Sequence, residues 1–361
     1  MQKTRVAVVL PDFRMGGAET MVSRLVSHLD LSQLDVEVIC ISGDRLDNHL
    51  EHDVEDHGVP IRYMHKKPGF SFSAFFKLGK ELSRFKPDIV HSHLAGGFYS
   101  SLWILTHRRK MMIQTVHSVP TLEFEKAKRM VFSALYKRGK AVPVAITETI
   151  RSLVRKEYKV KKNVELIFNP VDVGKFSSEK KIKHDNFTFI MAGRLSKEKN
   201  QILGLKAFND LQKNHPDVRL LLLGDGPERE TLEDFINKNS LKEKVQLVGA
   251  VDNVHSYMAK ADAFLLSSEY EGLPLVLLEA MASKLLVVST DVGGIRDIVD
   301  GCSLLTPKGD VQALRDAMEK ALSDSEMRKE FCEKAFERVG QYDVSVIADQ
   351  YTKLYQKYRE S

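Results

Sequence analysis

Short apolar, β-branched runs recur through the first half of the chain, at residues 5–10, 36–41, 61–64, 89–92, 112–116, 142–147 and 164–167. Segments with helical spacing lie between them, at 19–29, 73–85, 97–106 and 122–137 among others. Strands that alternate with helices predict a doubly wound parallel sheet. The pattern pauses at Asn169-Pro170-Val171-Asp172 and the polar stretch 177–186, then resumes with strands at 187–191, 219–223, 245–248, 263–267, 286–290 and 303–305. Two similar α/β halves with a hinge near 170–186 are expected, followed by a polar amphipathic helix over 344–358.

One helical run departs from the amphipathic rule. In Glu271-Gly272-Leu273-Pro274-Leu275-Val276-Leu277-Leu278-Glu279-Ala280, Pro274 is expected at the first helical position of a helix that is apolar almost all round and so buried. A carboxylate in its second turn, Glu279, needs hydrogen-bond donors. A vicinal diol such as a ribose supplies a pair of them, and so does a protein Arg or Lys. The free N–H groups at the helix start suit a phosphate or sugar oxygens.

Ligands of open α/β sheets bind beyond the carboxyl ends of the strands, and the remaining motifs fall there. Met15-Gly16-Gly17-Ala18-Glu19 follows the first strand, and His117 follows the fifth. In Ala192-Gly193-Arg194-Leu195-Ser196-Lys197-Glu198-Lys199-Asn200, Arg194 offers a planar fork and Lys199 a point charge, a pairing suited to a diphosphate. Both are expected in a ligand-facing loop, where replacement spares folding. Gly224-Asp225-Gly226-Pro227 and Asp291-Val292-Gly293-Gly294 are further tight turns. The Gly-x-Gly-x-x-Gly fingerprint is missing after the first strand, which argues against NAD or FAD.

A length of 361 residues favours two domains over one core. Cys40, Cys302 and Cys332 lie far apart without ligand spacing and read as reduced thiols. No apolar run reaches the roughly 18 residues a membrane span needs, so a cytoplasmic location is expected. Residues 1–170 carry 27 Lys and Arg against 18 Asp and Glu, whereas the rest carry 27 against 31. The basic excess peaks where Phe124, Met130, Val131, Phe132, Leu135 and Tyr136 interleave with Lys126, Lys128, Arg129, Lys137 and Arg138. That segment, 122–140, is expected to dock on an anionic membrane surface; no nucleic-acid motif accompanies it.

In order and spacing these motifs resemble the retaining glycosyltransferases of family 4, of the bacterial polysaccharide and glycolipid type. The resemblance rests on Gly16-Gly17-Ala18-Glu19, Asn169-Pro170-Val171-Asp172, Gly193-Arg194-Leu195 with Lys199-Asn200, Gly224-Asp225-Gly226-Pro227, the Glu271/Glu279 pair and Gly293-Gly294. It implies the GT-B fold: two Rossmann-like parallel-sheet domains facing across a cleft. Residues 1–172 would bind acceptor, 173–342 would bind donor, and the helix of 343–361 would pack back on the first domain. It further implies that Arg194 and Lys199 hold the diphosphate of a sugar nucleotide and that Glu279 holds the ribose. Glu271 would sit by the donor sugar, with Gly272, Leu273 and Pro274 touching sugar and phosphate. Gly16 and Gly17 would let the donor approach, with His117 beside the transferred sugar. The expected donor is a UDP-sugar and the expected acceptor a lipid-linked or envelope saccharide. No cofactor or metal is expected, since the sequence has no Asp-x-Asp triplet. The alternatives are a sugar-nucleotide 2-epimerase of the same architecture and a non-catalytic transferase subunit. Two departures from the family pattern stand out: Asn169-Pro170 where Asn-Gly is usual, and Cys302 directly after Gly301.

Overall fold

The computed structural model describes residues 3–182 and 185–359. Lys183 and His184 of the expected polar stretch, and Met1, Gln2, Glu360 and Ser361 at the ends, lie outside the described residues. The chain forms two compact units, Met1–Pro170 with Tyr342–Ser361, and Val171–Gln341.

The first unit holds seven strands: β1 (Thr4–Leu10), β2 (Leu34–Ser42), β3 (Ile61–Lys66), β4 (Ile89–His93), β5 (Met111–Val116), β6 (Ala141–Ala145) and β7 (Glu165–Leu166). They pair in the order β3-β2-β1-β4-β5-β6-β7, all parallel. Central strands are covered on both faces, which is why they read as unbroken apolar runs. The closing helix Val344–Arg359 lies on this unit's sheet and contacts β1, β4 and the helix Gly17–Val26. Ile347, Tyr351 and Tyr355 are fully buried there. Among the described residues no helix is long and apolar enough to cross a membrane.

The second unit has six parallel strands, β8 (Thr188–Ala192), β9 (Arg219–Leu223), β10 (Val245–Gly249), β11 (Ala263–Leu266), β12 (Leu286–Thr290) and β13 (Ser303–Thr306), in the order β10-β9-β8-β11-β12-β13. Its core packs Phe189, Leu205, Phe208, Leu220, Leu265 and Leu314.

The structure corrects two sequence expectations. The helical pattern over 122–137 is two helices, Pro120–Glu123 and Lys126–Lys137, separated where Phe124 and Glu125 turn extended. That break lets Phe124 fold inward onto Phe132, with ring centroids 4.7 Å apart. Phe124, Phe132, Leu135 and Tyr136 are all buried, so the aromatic side chains among these lysines belong to the core. Pro274 is the N-cap of the helix Leu275–Ala282, not its first residue. Its φ of −69° suits the ring, but its ψ of 124° is extended, and its carbonyl already accepts from Leu277 N.

Candidate functional site

In the second unit the expected donor residues gather at the carboxyl ends of β8 and β11. Glycines make this possible. A Cβ on Gly224 would lie 2.0 Å from the carbonyl oxygen of Gly193, and one on Gly226 would lie 2.3 Å from that of Leu195. Without side chains the two turns join, through Gly193 N to Leu223 O and Leu195 N to Asp225 O, both 3.0 Å. Arg194 rides on the joined loop, exposed, and its guanidinium enters no ion pair among the described residues. Gln201 Nε2 donates to its carbonyl, which fixes the backbone.

Lys199 lies five residues further on, just before Asn200, the left-handed N-cap of the helix Gln201–Leu211. Its Nζ is 2.6 Å from Glu271 Oε1, and Ser268 Oγ donates to the same oxygen at 2.6 Å. Asn200 Nδ2 reaches Glu269 Oε1 at 2.5 Å, a second clasp between the loops. Glu271 is only 7% exposed, and its Oε2 makes no hydrogen bond among the described residues. Ser268 carried no sequence signal of its own; only its position three residues before Glu271 hinted at the bond.

Gly293 holds this carboxylate's backbone in place. Its φ is +58°, and a Cβ there would fall 1.8 Å from the Glu271 carbonyl oxygen. Gly294 N donates to Gly272 O at 3.3 Å. Gly272, Leu273 and Pro274 therefore lead straight from the Lys199–Glu271 pair into a helix start with no side-chain cap. Glu279 is buried on that helix, 7% exposed.

The first unit carries the other expected residues. Gly16 caps the helix Gly17–Val26 in an extended conformation that any residue adopts, and nothing lies within 4 Å of a Cβ on Gly17. Gly17 leaves this helix start open, whereas a Cβ on Gly16 would lie 2.5 Å from Glu19 Oε2, so the Glu19 carboxylate folds back over Gly16. Glu19 in its first turn is pushed up to about 7, mainly by burial and then by Asp12. His117 follows β5, and its Nε2 is 2.9 Å from Nδ1 of His93. Burial pulls His117 down to about 4, so the ring is neutral at pH 7.

Three further groups here escaped the sequence reading. His91 and His93 share one face of β4, two residues apart, a period-2 signal inside Val90-His91-Ser92-His93. His91 bonds Thr115 Oγ1 at 2.8 Å and Tyr355 Oη at 2.7 Å, which ties the closing helix to the sheet. Glu123 accepts from Ser118 N at 2.9 Å, directly after His117. Burial pushes its carboxyl up to about 8. Among the described residues no three His, Cys, Asp or Glu side chains form a metal-holding group.

Two parallel α/β units, with a Lys–Glu–Arg cluster at the strand ends of the second, define a protein of the GT-B class. Residues 15–175 match the family described as glycosyltransferase family 4, and residues 172–338 match that described as glycosyl transferases group 1. The chain belongs to the glycosyltransferases built from these two domains. It is 27% identical to the Campylobacter jejuni GalNAc-alpha-(1->4)-GalNAc-alpha-(1->3)-diNAcBac-PP-undecaprenol alpha-1,4-N-acetyl-D-galactosaminyltransferase, over 97% of this chain and 98% of that one. An uncharacterized glycosyltransferase of Methanocaldococcus jannaschii is 30% identical over 54% of this chain, a match spanning 44% of that protein. The fold is similar to that of Anabaena HepE in complex with UDP, with a TM-score of 0.83, 18% identity, and 99% and 100% of the two chains covered.

Proposed function

We propose that this protein is a retaining, metal-independent glycosyltransferase that moves a sugar from a UDP-sugar to a lipid-linked or envelope-polysaccharide acceptor at the inner face of a membrane. The observation that carries the reading is the Lys199 Nζ–Glu271 Oε1 contact of 2.6 Å, with Arg194 exposed on the adjoining loop. A departing diphosphate gains negative charge, and fixed cations aimed at that charge are the largest aid a protein supplies to such a reaction. Lys199 is held at one height by Glu271, so it needs no rearrangement when the phosphate charge develops. Arg194 supplies the uncommitted charge and a bidentate fork. Glu271 Oε2 accepts from a donor-sugar hydroxyl, Glu279 from the ribose, and the N–H groups after Pro274 face phosphate or sugar oxygens. Gly17 leaves room beside the sugar, Gly16 brings the Glu19 carboxylate close to the same helix start, and the neutral His117 ring bonds a sugar oxygen without adding charge.

The acceptor belongs to the first unit. There a cavity of ≈ 510 Å³ lies at the carboxyl ends of β1 to β4, lined by Lys66, Phe98, Tyr99 and Lys128 among others. Aromatic faces, the Lys66 cation and the Lys128–Glu125 pair, 3.6 Å apart, suit a sugar attached to a phosphate. A UDP bound in the HepE structure and an undecaprenol-linked acceptor in the name of the Campylobacter relative support this choice of substrates. The test incubates the protein with UDP-sugars and lipid extract, without added metal, and follows UDP release and the anomeric configuration of the product. Release that requires lipid acceptor, with an α-linked product from an α-linked donor, is the expected result. An inverted product, or an epimerised donor without transfer, overturns it.

A further inference from the structure

Three of the chain's 18 phenylalanines lie mostly in water, and they fall within seven residues of one another. Phe70, Phe72 and Phe76 are 71%, 67% and 59% exposed. Phe72 and Phe76 stand one turn apart on the outer side of the helix Phe72–Phe85, while Ala74, Leu78, Leu82 and Phe85 bury its inner side. Phe70 precedes them on a turn at Gly69, whose φ is +91°. Their rings form one cluster: Phe72 is 5.4 Å from Phe76 and 6.2 Å from Phe75, and Phe75 is 6.4 Å from Phe70.

Positive charge prevails around this knuckle, although Glu81 lines the same groove as Lys77 and Lys80, and Arg62 is paired with Glu37. From His57 to Lys80 the sequence has no Asp or Glu, while it carries Arg62, Lys66, Lys67, Lys77 and Lys80. Lys67, Lys77 and Lys80 are exposed and enter no ion pair among the described residues. Exposed aromatic rings beside uncompensated lysines match a bilayer interface, where rings sit at headgroup depth and cations meet anionic lipid. A second copy of the chain fits less well. The exposed ring area is on the order of 400 Å². Paired with itself it reaches about 800 Å², below the roughly 1,000 Å² a specific interface needs. Lys67, Lys77 and Lys80 would also face their own copies.

We propose that Phe70, Phe72 and Phe76 insert into an anionic lipid surface, with Lys67, Lys77 and Lys80 on the headgroups, and that this knuckle docks the enzyme in place of the segment 122–140. The inference deepens the lipid-acceptor reading and rests on it: the knuckle adjoins the cavity assigned to the acceptor, whose wall includes Phe70. A saccharide anchored in the bilayer then meets the cavity without leaving the lipid.

The experiment uses the full chain and vesicles of phosphatidylcholine with or without phosphatidylglycerol. Co-sedimentation is compared for the wild type, Phe72→Ser/Phe76→Ser, and a variant with Lys126, Lys137, Arg138 and Lys140 changed to Gln. The expected result is binding to phosphatidylglycerol vesicles that weakens at least about tenfold in the Phe variant and less in the Gln variant. In Phe72→Trp the emission should shift to the blue on adding these vesicles and be quenched by brominated lipid. Two controls separate the readings: a Phe variant whose melting transitions all match those of the wild type is folded, and a wild type that fails to bind UDP in calorimetry sinks the transferase reading alone. Equal vesicle binding by wild type and Phe variant, a larger loss in the Gln variant, or no binding at all overturns the docking proposal. So does a concentration-dependent dimer that the Phe substitutions abolish.

Discussion

Lys199 and Glu271 are paired while Glu271 is 7% exposed, so a substitution at either has two effects that must be separated. Removing the cation strands a buried carboxylate, which costs about 1–3 kcal/mol of stability. Replacing Lys199 is therefore expected to lower stability, which replacing the exposed Arg194 is not. Arg194→Ala should lower turnover by about 10²-fold with an unchanged melting temperature. Lys199→Met should lower both, and adding Glu271→Gln should restore melting but not turnover. Calorimetry and initial rates together check this. A second expectation concerns pH. Glu123 titrates at about 8 when folded against 4.5 as its ordinary value. The folded state thus binds more protons between these values, and stability falls as pH rises through that window. His91, His93 and His117 act oppositely: burial lowers all three, so stability is lost as pH falls below about 6.5, where the unfolded chain takes up protons. Melting temperature should fall on either side of roughly pH 6.5, and Glu123→Gln should flatten the alkaline limb between pH 7 and 8. An unchanged limb would remove Glu123 from the account. None of the four groups announces its burial by residue type; alternation along β4 exposes the two histidines, and nothing in the sequence marks Glu123.

At the scale of elements, the strands were legible because a parallel sheet buries both faces and leaves an apolar run of strand length. The run 219–223 is β9 and 286–290 is β12, residue for residue. Helix faces were less legible. In 122–137 the interleaving of rings and lysines looked like a surface stripe, yet Phe132, Leu135 and Tyr136 recur at spacings of three and four and point one way, into the core. The break at Glu125 depends on the tertiary contact of Phe124 with Phe132, which local propensity does not record. The site's turns illustrate the converse. Gly193, Gly224, Gly226 and Gly293 were visible as glycines, but only the structure shows what each one touches. Gly293→Ala should push the Glu271 loop away by its carbonyl, lowering UDP affinity well beyond the effect of Gly17→Ala, which meets nothing within 4 Å. Comparable affinities in the two variants would show that the loop adapts.

For the molecule as a whole, the first unit is assembled from both ends of the chain. Tyr351 is fully buried, stacks on His91 at a centroid distance of 4.9 Å and bonds Thr115. Tyr351→Ala should cost about 3–5 kcal/mol, as loss of a large buried ring does, and should melt the first unit at lower temperature while UDP binding by Val171–Gln341 persists. A single transition that carries both losses would mean that the units unfold together. The same connectivity sets an order for the birth of the protein. Residues Thr4–Leu10 leave the ribosome before the helix that covers their sheet, and the whole of the second unit is translated in between. At about 5–20 residues per second, the intervening Val171–Gln341 takes on the order of ten to thirty seconds to make. During that time the second unit can close its own core, while the first displays an uncovered apolar sheet face. Of these two units, the one whose synthesis starts earlier is completed later, and a chaperone that shields such a face would meet it on nascent chains that have not yet reached Val344–Arg359.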